Sequence, residues 1–202
     1  MQRAPIEELV VATHNSGKLA EMRALLAPYR VKVLSAGELG LAEPEETENS
    51  FLGNARIKAH AAARASGRVT LGDDSGLEVD ALDGAPGVYT ANWAEIDGRR
   101  DFSHAMRLTH RKLIKRRADE PWTARFRCTL VLAWPDGEEA SFEGSIEGML
   151  VWPPRGIEGH GYDPMFQPLG HAQTFAEMPE DEKNRISHRA RAIAALIERC
   201  FT

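Results

Sequence analysis

The stretch Thr13-His14-Asn15-Ser16-Gly17-Lys18 follows a short apolar run, Leu9 to Ala12, and precedes Leu19, Met22 and Leu26 at helical spacing. A strand end that leads into a helix N-terminus offers unpaired N–H groups and the positive end of the helix dipole, which suit a phosphate. Lys18 adds a full charge. This is not a P-loop, because Gly17-Lys18 is followed by Leu19 rather than Ser or Thr and no glycine precedes it at the required spacing. The bland alternative is a simple capping turn. A second group is acidic: Glu45 and Glu46, then Asp73 and Asp74. Hard carboxylate oxygens suit magnesium, which takes one or two protein acids and fills its shell with water and substrate phosphate. The same residues would equally form a solvated loop and a turn.

Asn54 and Lys58 stand four apart, on one face of a helix, and matter only if that face points at the acids. Gly159-His160-Gly161-Tyr162-Asp163-Pro164 and Lys183-Asn184-Arg185-Ile186-Ser187-His188-Arg189 supply rings that stack on a base and donors that read its acceptors. Their structural alternatives are a Gly-Tyr turn and a basic helix start. Basic charge opposes the dipole at a helix N-terminus, which favours a functional reason for Lys183, His188 and Arg189. The basic run Arg111 to Arg117 reads as a solvated helix face rather than a nucleic-acid surface, since the net charge is -5 and no RNA-binding motif accompanies it.

The elements that must position these groups follow from periodicity. Leu9 to Ala12 and Val31 to Leu34 read as strands, with a helix between them. Ser50 to Ser66 holds six alanines and no proline, a helix capped by Asn49 or Ser50 and closed by Gly67. Val69 to Leu71 reads as a strand running into a polar turn, Gly72 to Gly76. Asp101 to Arg117 is helical. Ala124, Phe126, Cys128, Leu130, Leu132 and Trp134 alternate as a half-buried strand, and Pro135-Asp136-Gly137 turns it into a returning strand through Ala140, Phe142 and Ile146. Residues 153 to 172 read as an ordered loop, and Ile193 to Phe201 as an amphipathic helix. The fold class is α/β with a partly antiparallel sheet.

At 202 residues and 43% hydrophobic content the chain is expected to form one domain, 1–202. Cys128 and Cys200 lack disulfide or zinc spacing and read as reduced. The N-terminus carries Glu7 and Glu8 where a signal peptide needs apolar residues, and no run approaches the ~20 apolar residues of a membrane span. The expectation is a soluble cytoplasmic protein without nucleic-acid or membrane partners.

In order along the chain, Thr13 to Lys18, Glu45-Glu46-Thr47, Phe51 with Asn54-Ala55 and Lys58-Ala59, Asp73-Asp74-Ser75-Gly76-Leu77 and Gly84-Ala85-Pro86-Gly87 closely resemble the inosine triphosphate pyrophosphatase family. Gly161-Tyr162-Asp163-Pro164, Thr174 to Met178 and Ser187-His188-Arg189 extend the match to the C-terminus. The resemblance implies an elongated two-lobed mixed sheet flanked by helices, a substrate cleft between lobes, and a homodimer. It implies Mg2+-dependent hydrolysis of ITP, dITP and XTP to the monophosphate and pyrophosphate, which clears these purines from the nucleotide pool. It assigns phosphate binding to Thr13, His14, Asn15, Ser16, Gly17 and Lys18, metal binding to Glu46 and Asp74, and the proton acceptor to Asp74. Lys58 would steady the leaving pyrophosphate. Base-side contacts fall on Ser75, His160, Gly161, Tyr162, Asp163, Lys183, His188 and Arg189. His160 stands where the family more often has phenylalanine.

Overall fold

A computed structural model describes residues 5–201 of the chain. Strand β1 (Glu8–Val11) leads through the Thr13 turn into helix α1 (Ser16–Leu26), which buries Met22 and Leu26, and returns as β2 (Lys32–Ser35). Helix α2 (Phe51–Ser66) starts where Ser50 Oγ accepts from Gly53 N and stops at Gly67, whose φ of 66° ends it. Strand β3 (Thr70–Val79) follows. A short antiparallel pair, β4 (Glu95–Ile96) and β5 (Arg99–Arg100), precedes α3 (Phe102–Arg116), which is capped by Asp101. Strands β6 (Trp122–Ala133) and β7 (Glu139–Leu150) form a hairpin closed by Trp134 N donating to Glu138 O. Then come β8 (Phe166–Pro168), α4 (Glu180–Ile186) and α5 (His188–Cys200).

One sheet takes the order β2-β1-β3-β6-β7-β8. β1 is parallel to both β2 and β3, whereas β8 runs antiparallel to β7, so the sheet is mixed as the fold class anticipates. The chain divides into two compact units. The first comprises the chain up to Asp74, Cys128–Gly144 and the part from Arg189 onward; the second comprises Ser75–Arg127 and Ser145–His188. The first has apolar packing in two clusters. Leu9, Val11, Leu71, Leu130 and Leu132 pack with Met22 and Leu26 of α1 and Ile193 and Leu196 of α5. Ala55, Ala59 and Ala63 of α2 pack on Val131 and Ala133. The second unit has its own core, in which Leu77, Val79, Phe126, Tyr162, Phe166 and Phe175 meet Met106 and Leu113 of α3.

Four elements differ from the sequence reading. Residues 72–76 are not a turn: β3 runs unbroken through the two aspartates. Their charges are compensated by buried cations, so the strand continues where composition alone favours a break. β6 alternates only as far as Arg127; Cys128 to Ala133 are buried on both faces, because the alanines of α2 cover the side that carries Val131 and Ala133. Part of the Gly/Pro-rich segment 153–172 is strand β8, and Lys183 sits in its own short helix, separated from α5 by extended Ser187.

Gly72 decides how close α2 lies to β3. A Cβ there would stand 2.3 Å from Ala55 O and 2.9 Å from Ala59 Cβ. With glycine at that position and alanines on the facing stripe, the helix backbone lies against the strand next to the two acids.

Candidate active site

The N-terminus of α1 is built as the sequence anticipates. Asn15 is its cap, with Oδ1 accepting from Lys18 N at 3.1 Å, and Asn15 N donates to Thr13 Oγ1 at 3.1 Å. Thr13 is buried, whereas His14, Asn15 and Ser16 are exposed, and no acidic residue occupies the first turn. The end of the helix therefore remains positive toward an anion. His14 Nε2 donates to Leu41 O at 2.9 Å, and its Nδ1 lies 3.8 Å from Glu43, so the ring ties the turn to the acidic loop. Lys18 reaches Asp73, Nζ to Oδ2 2.9 Å.

Asp73 and Asp74 are adjacent in β3 and nearly inaccessible, yet they titrate in opposite directions. Burial opposes ionisation of Asp73, but Lys18, Arg189 and Lys58 outweigh it and hold the carboxyl well below the usual range. Arg189 Nη2 lies 3.8 Å from Asp73, and its Nη1 donates to Glu21 of α1. Asp74 is pushed up to about 6, first by burial and then by the like charge of Glu46, against the opposing pull of Lys58 and of Asn54, whose Nδ2 donates to it at 3.2 Å. The face of α2 that carries Asn54 and Lys58 does point at the acids.

Lys58 is buried. Its Nζ lies 2.8 Å from Glu46 Oε1 and 3.8 Å from Asp74 Oδ1. Burial disfavours its charge, but Asp73, Asp74 and Glu46 more than restore it, and its pKa is raised. Two carboxylates thus converge on one point of positive charge. Among the described residues no group of three or more His, Cys, Asp or Glu could by itself hold a metal. Two hard oxygen donors that leave the remaining shell to water and phosphate fit magnesium and do not fit a zinc or calcium cage.

The remaining sequence-derived residues lie mainly in the second unit. Ser75 follows Asp74 in β3 and is partly buried. Asp163 Oδ2 accepts from His160 N at 2.8 Å and from Lys183 Nζ at 2.7 Å, which folds the loop back on itself. Gly159, with φ of 73°, leaves room for that carboxylate; a Cβ there would stand 2.2 Å from Asp163 Oδ2. Gly161 adopts φ of 72° in the same loop. Tyr162 is buried edge-on against Phe102 at 5.9 Å, and burial pushes its hydroxyl up to about 12 despite the nearby Thr109. His188 stacks on Phe126 at 4.9 Å. His160 is exposed.

Lys183, His188 and Arg189 are therefore buried and engaged within the protein, not displayed as surface donors. Glu21 is absent from the motif reading. Its one local sign is its position three residues after Lys18, and its partner lies 168 residues away.

A model of the Ham1 family matches residues 9–199. A protein of Ruegeria pomeroyi named dITP/XTP pyrophosphatase is 60% identical over 195 residues, covering 96% of each chain. A Rhodopseudomonas palustris protein of the same name is 54% identical, covering 100% of this chain and 99% of its own. Among solved structures, a HAM1 protein from Coxiella burnetii superposes with a TM-score of 0.85 at 37% identity, over 94% of this chain and 95% of that one.

Proposed function

The chain belongs to the Ham1 family, and from that premise we propose that it hydrolyses noncanonical purine nucleoside triphosphates, dITP, ITP and XTP, to the nucleoside monophosphate and pyrophosphate. The observation that carries the reading is the buried pair Asp73 and Asp74, one held fully ionised by Lys18 and the other raised to about 6 beside Lys58 and Glu46. A turn that only capped a helix would need neither acid.

The mechanism assigns each group a task. The turn Thr13 to Lys18 holds phosphate oxygens through the α1 N-terminus, and Lys18 supplies charge while anchored to Asp73. Mg2+ bound by Glu46 and Asp74 would draw charge from the phosphate oxygens. Asp74, as the carboxylate, takes the proton from the water that attacks the α-phosphorus, and the α–β anhydride bond breaks to release pyrophosphate. Lys58 steadies the charge that develops on that leaving group. Little covalent chemistry is asked of the protein, since phosphoryl transfer depends on positioning and electrostatics.

The resemblance gives recognition of the base to Lys183, His188 and Arg189, supported by Ser75, His160, Gly161, Tyr162 and Asp163; the first three are engaged within the protein in the unliganded chain and would exchange those partners for the base. Donors matched to a 6-oxo acceptor would be left unpaired by adenine, a mismatch that costs factors of about 10⁴ in sites of this kind. Chain 1–202 acts as a single catalytic domain, in a cytoplasmic homodimer, in keeping with the resemblance of its motifs. Among the described residues no helix is long and apolar enough to cross a membrane.

The test is pyrophosphate release from dITP, ITP, XTP, ATP and GTP with magnesium. Release confined to the first three is expected. Tight binding of dITP with no pyrophosphate released would replace the hydrolase with a nucleotide sensor.

A further inference from the structure

Helix α2 meets its surroundings on three sides. Asn54 and Lys58 face the acids, and Ala55, Ala59 and Ala63 pack on Val131 and Ala133. On the third side Arg56 and His60, one turn apart, meet a single carboxylate: Arg56 Nε donates to Glu139 Oε1 at 2.6 Å and His60 Nε2 to Glu139 Oε2 at 2.8 Å. Glu139 is the first residue of β7, directly after the turn closed by Trp134 and Glu138, so its backbone is fixed.

The alanine stripe makes a smooth contact. It sets how closely α2 approaches the sheet, but it places little restraint on rotation of the helix about its own axis. Two hydrogen bonds from successive turns to the two oxygens of one carboxylate do restrain that rotation. We propose that Glu139 is a positioning residue for the hydrolysis: by gripping Arg56 and His60 it fixes the rotation of α2, and with it the placement of Lys58 and Asn54 against Glu46 and Asp74. The proposal rests on the hydrolytic reading above.

Stability alone is a poor reason for this arrangement. Arg56 is half exposed, and an ion pair of that exposure contributes little to stability. Burial opposes the charge of Glu139, but His60 and Arg56 outweigh it and lower its pKa, so both oxygens accept at neutral pH. Partners one shell behind a reacting group typically change activity by about 10–100-fold.

The test compares Glu139→Ala and Glu139→Gln with wild type, and repeats Glu139→Ala in a Lys58→Met background. In wild type, Glu139→Ala lowers kcat for dITP by about tenfold with KM changed less than about twofold, and Glu139→Gln loses less. In the Lys58→Met background the same change costs under about threefold, because of the two groups it positions only Asn54 remains. Equal losses in both backgrounds, or unchanged kcat, overturn the proposal. Side-chain NMR of the unliganded protein decides the matter independently of turnover. Shifted signals of the Lys58 ammonium and the Asn54 amide in Glu139→Ala support the grip; signals unchanged from wild type remove it. If wild type releases no pyrophosphate from dITP, the hydrolytic reading fails, and the side-chain signals still judge the grip.

Discussion

Each unit buries a lysine against a carboxylate, and the two centres are charged differently. In the second unit Lys183 meets Asp163, one cation to one anion, and the carboxylate also accepts from the His160 amide. In the first, Lys18, Lys58 and Arg189 stand among four carboxylates, Glu21, Glu46, Asp73 and Asp74. The balanced pair holds a loop in shape. The crowded cluster places Asp74 where burial first, and the like charge of Glu46 second, raise its pKa against the pull of Lys58. A carboxylate whose ionisation is opposed by burial is costly to keep, and such groups gather where chemistry is done.

Exchanging one acid for its amide in the unbalanced cluster gives the largest effect. Asp74→Asn is expected to lower kcat for dITP by about 10³-fold while leaving the urea midpoint unchanged or higher. A variant that hydrolyses dITP at the wild-type rate would remove Asp74 from the reaction. The balanced pair should answer in the opposite way. Lys183→Met strands Asp163 in the interior and is expected to cost about 3 kcal/mol or more in urea unfolding. Unfolding within about 0.5 kcal/mol of wild type would show that the pair does not hold the loop.

The third effect is a pH dependence, smaller again. The Asp74 pKa is raised from 3.8 when unfolded to about 6 when folded, so between those values the folded state binds more protons. Ionising the buried acid therefore destabilises the fold. The penalty is complete above about 6 and disappears as pH falls toward 3.8. With a chelator present, the stability advantage of Asp74→Asn over wild type should reach up to about 3 kcal/mol at pH 7 and shrink on acidification to pH 4. An advantage that stays flat across that range would mean that Asp74 is not held as the geometry implies.

Local signals carried much of this architecture. The start of α2 was narrowed to Asn49 or Ser50, of which Ser50 is the cap, Gly67 marked its end, and Pro135-Asp136-Gly137 turned the hairpin, because caps and turns are decided by residues within hydrogen-bonding reach along the chain. Asp73 and Asp74 read as a turn, since their composition is that of a turn and the cations that let them stay in a strand come from Lys18, Lys58 and Arg189. Glu21 and Glu139 gave little sign for the same reason, as their partners lie 168 and about 80 residues away. The motifs named the groups at the centre; the groups that hold those in place belong to the tertiary fold.

The ammonium of Lys58 between Glu46 and Asp74 has a consequence for assembly. The acids carry their own resident counterion from the moment the helix docks, so folding does not have to wait for a divalent ion. On the proposed metal-dependent reading, a chelator should then silence the protein without unravelling it.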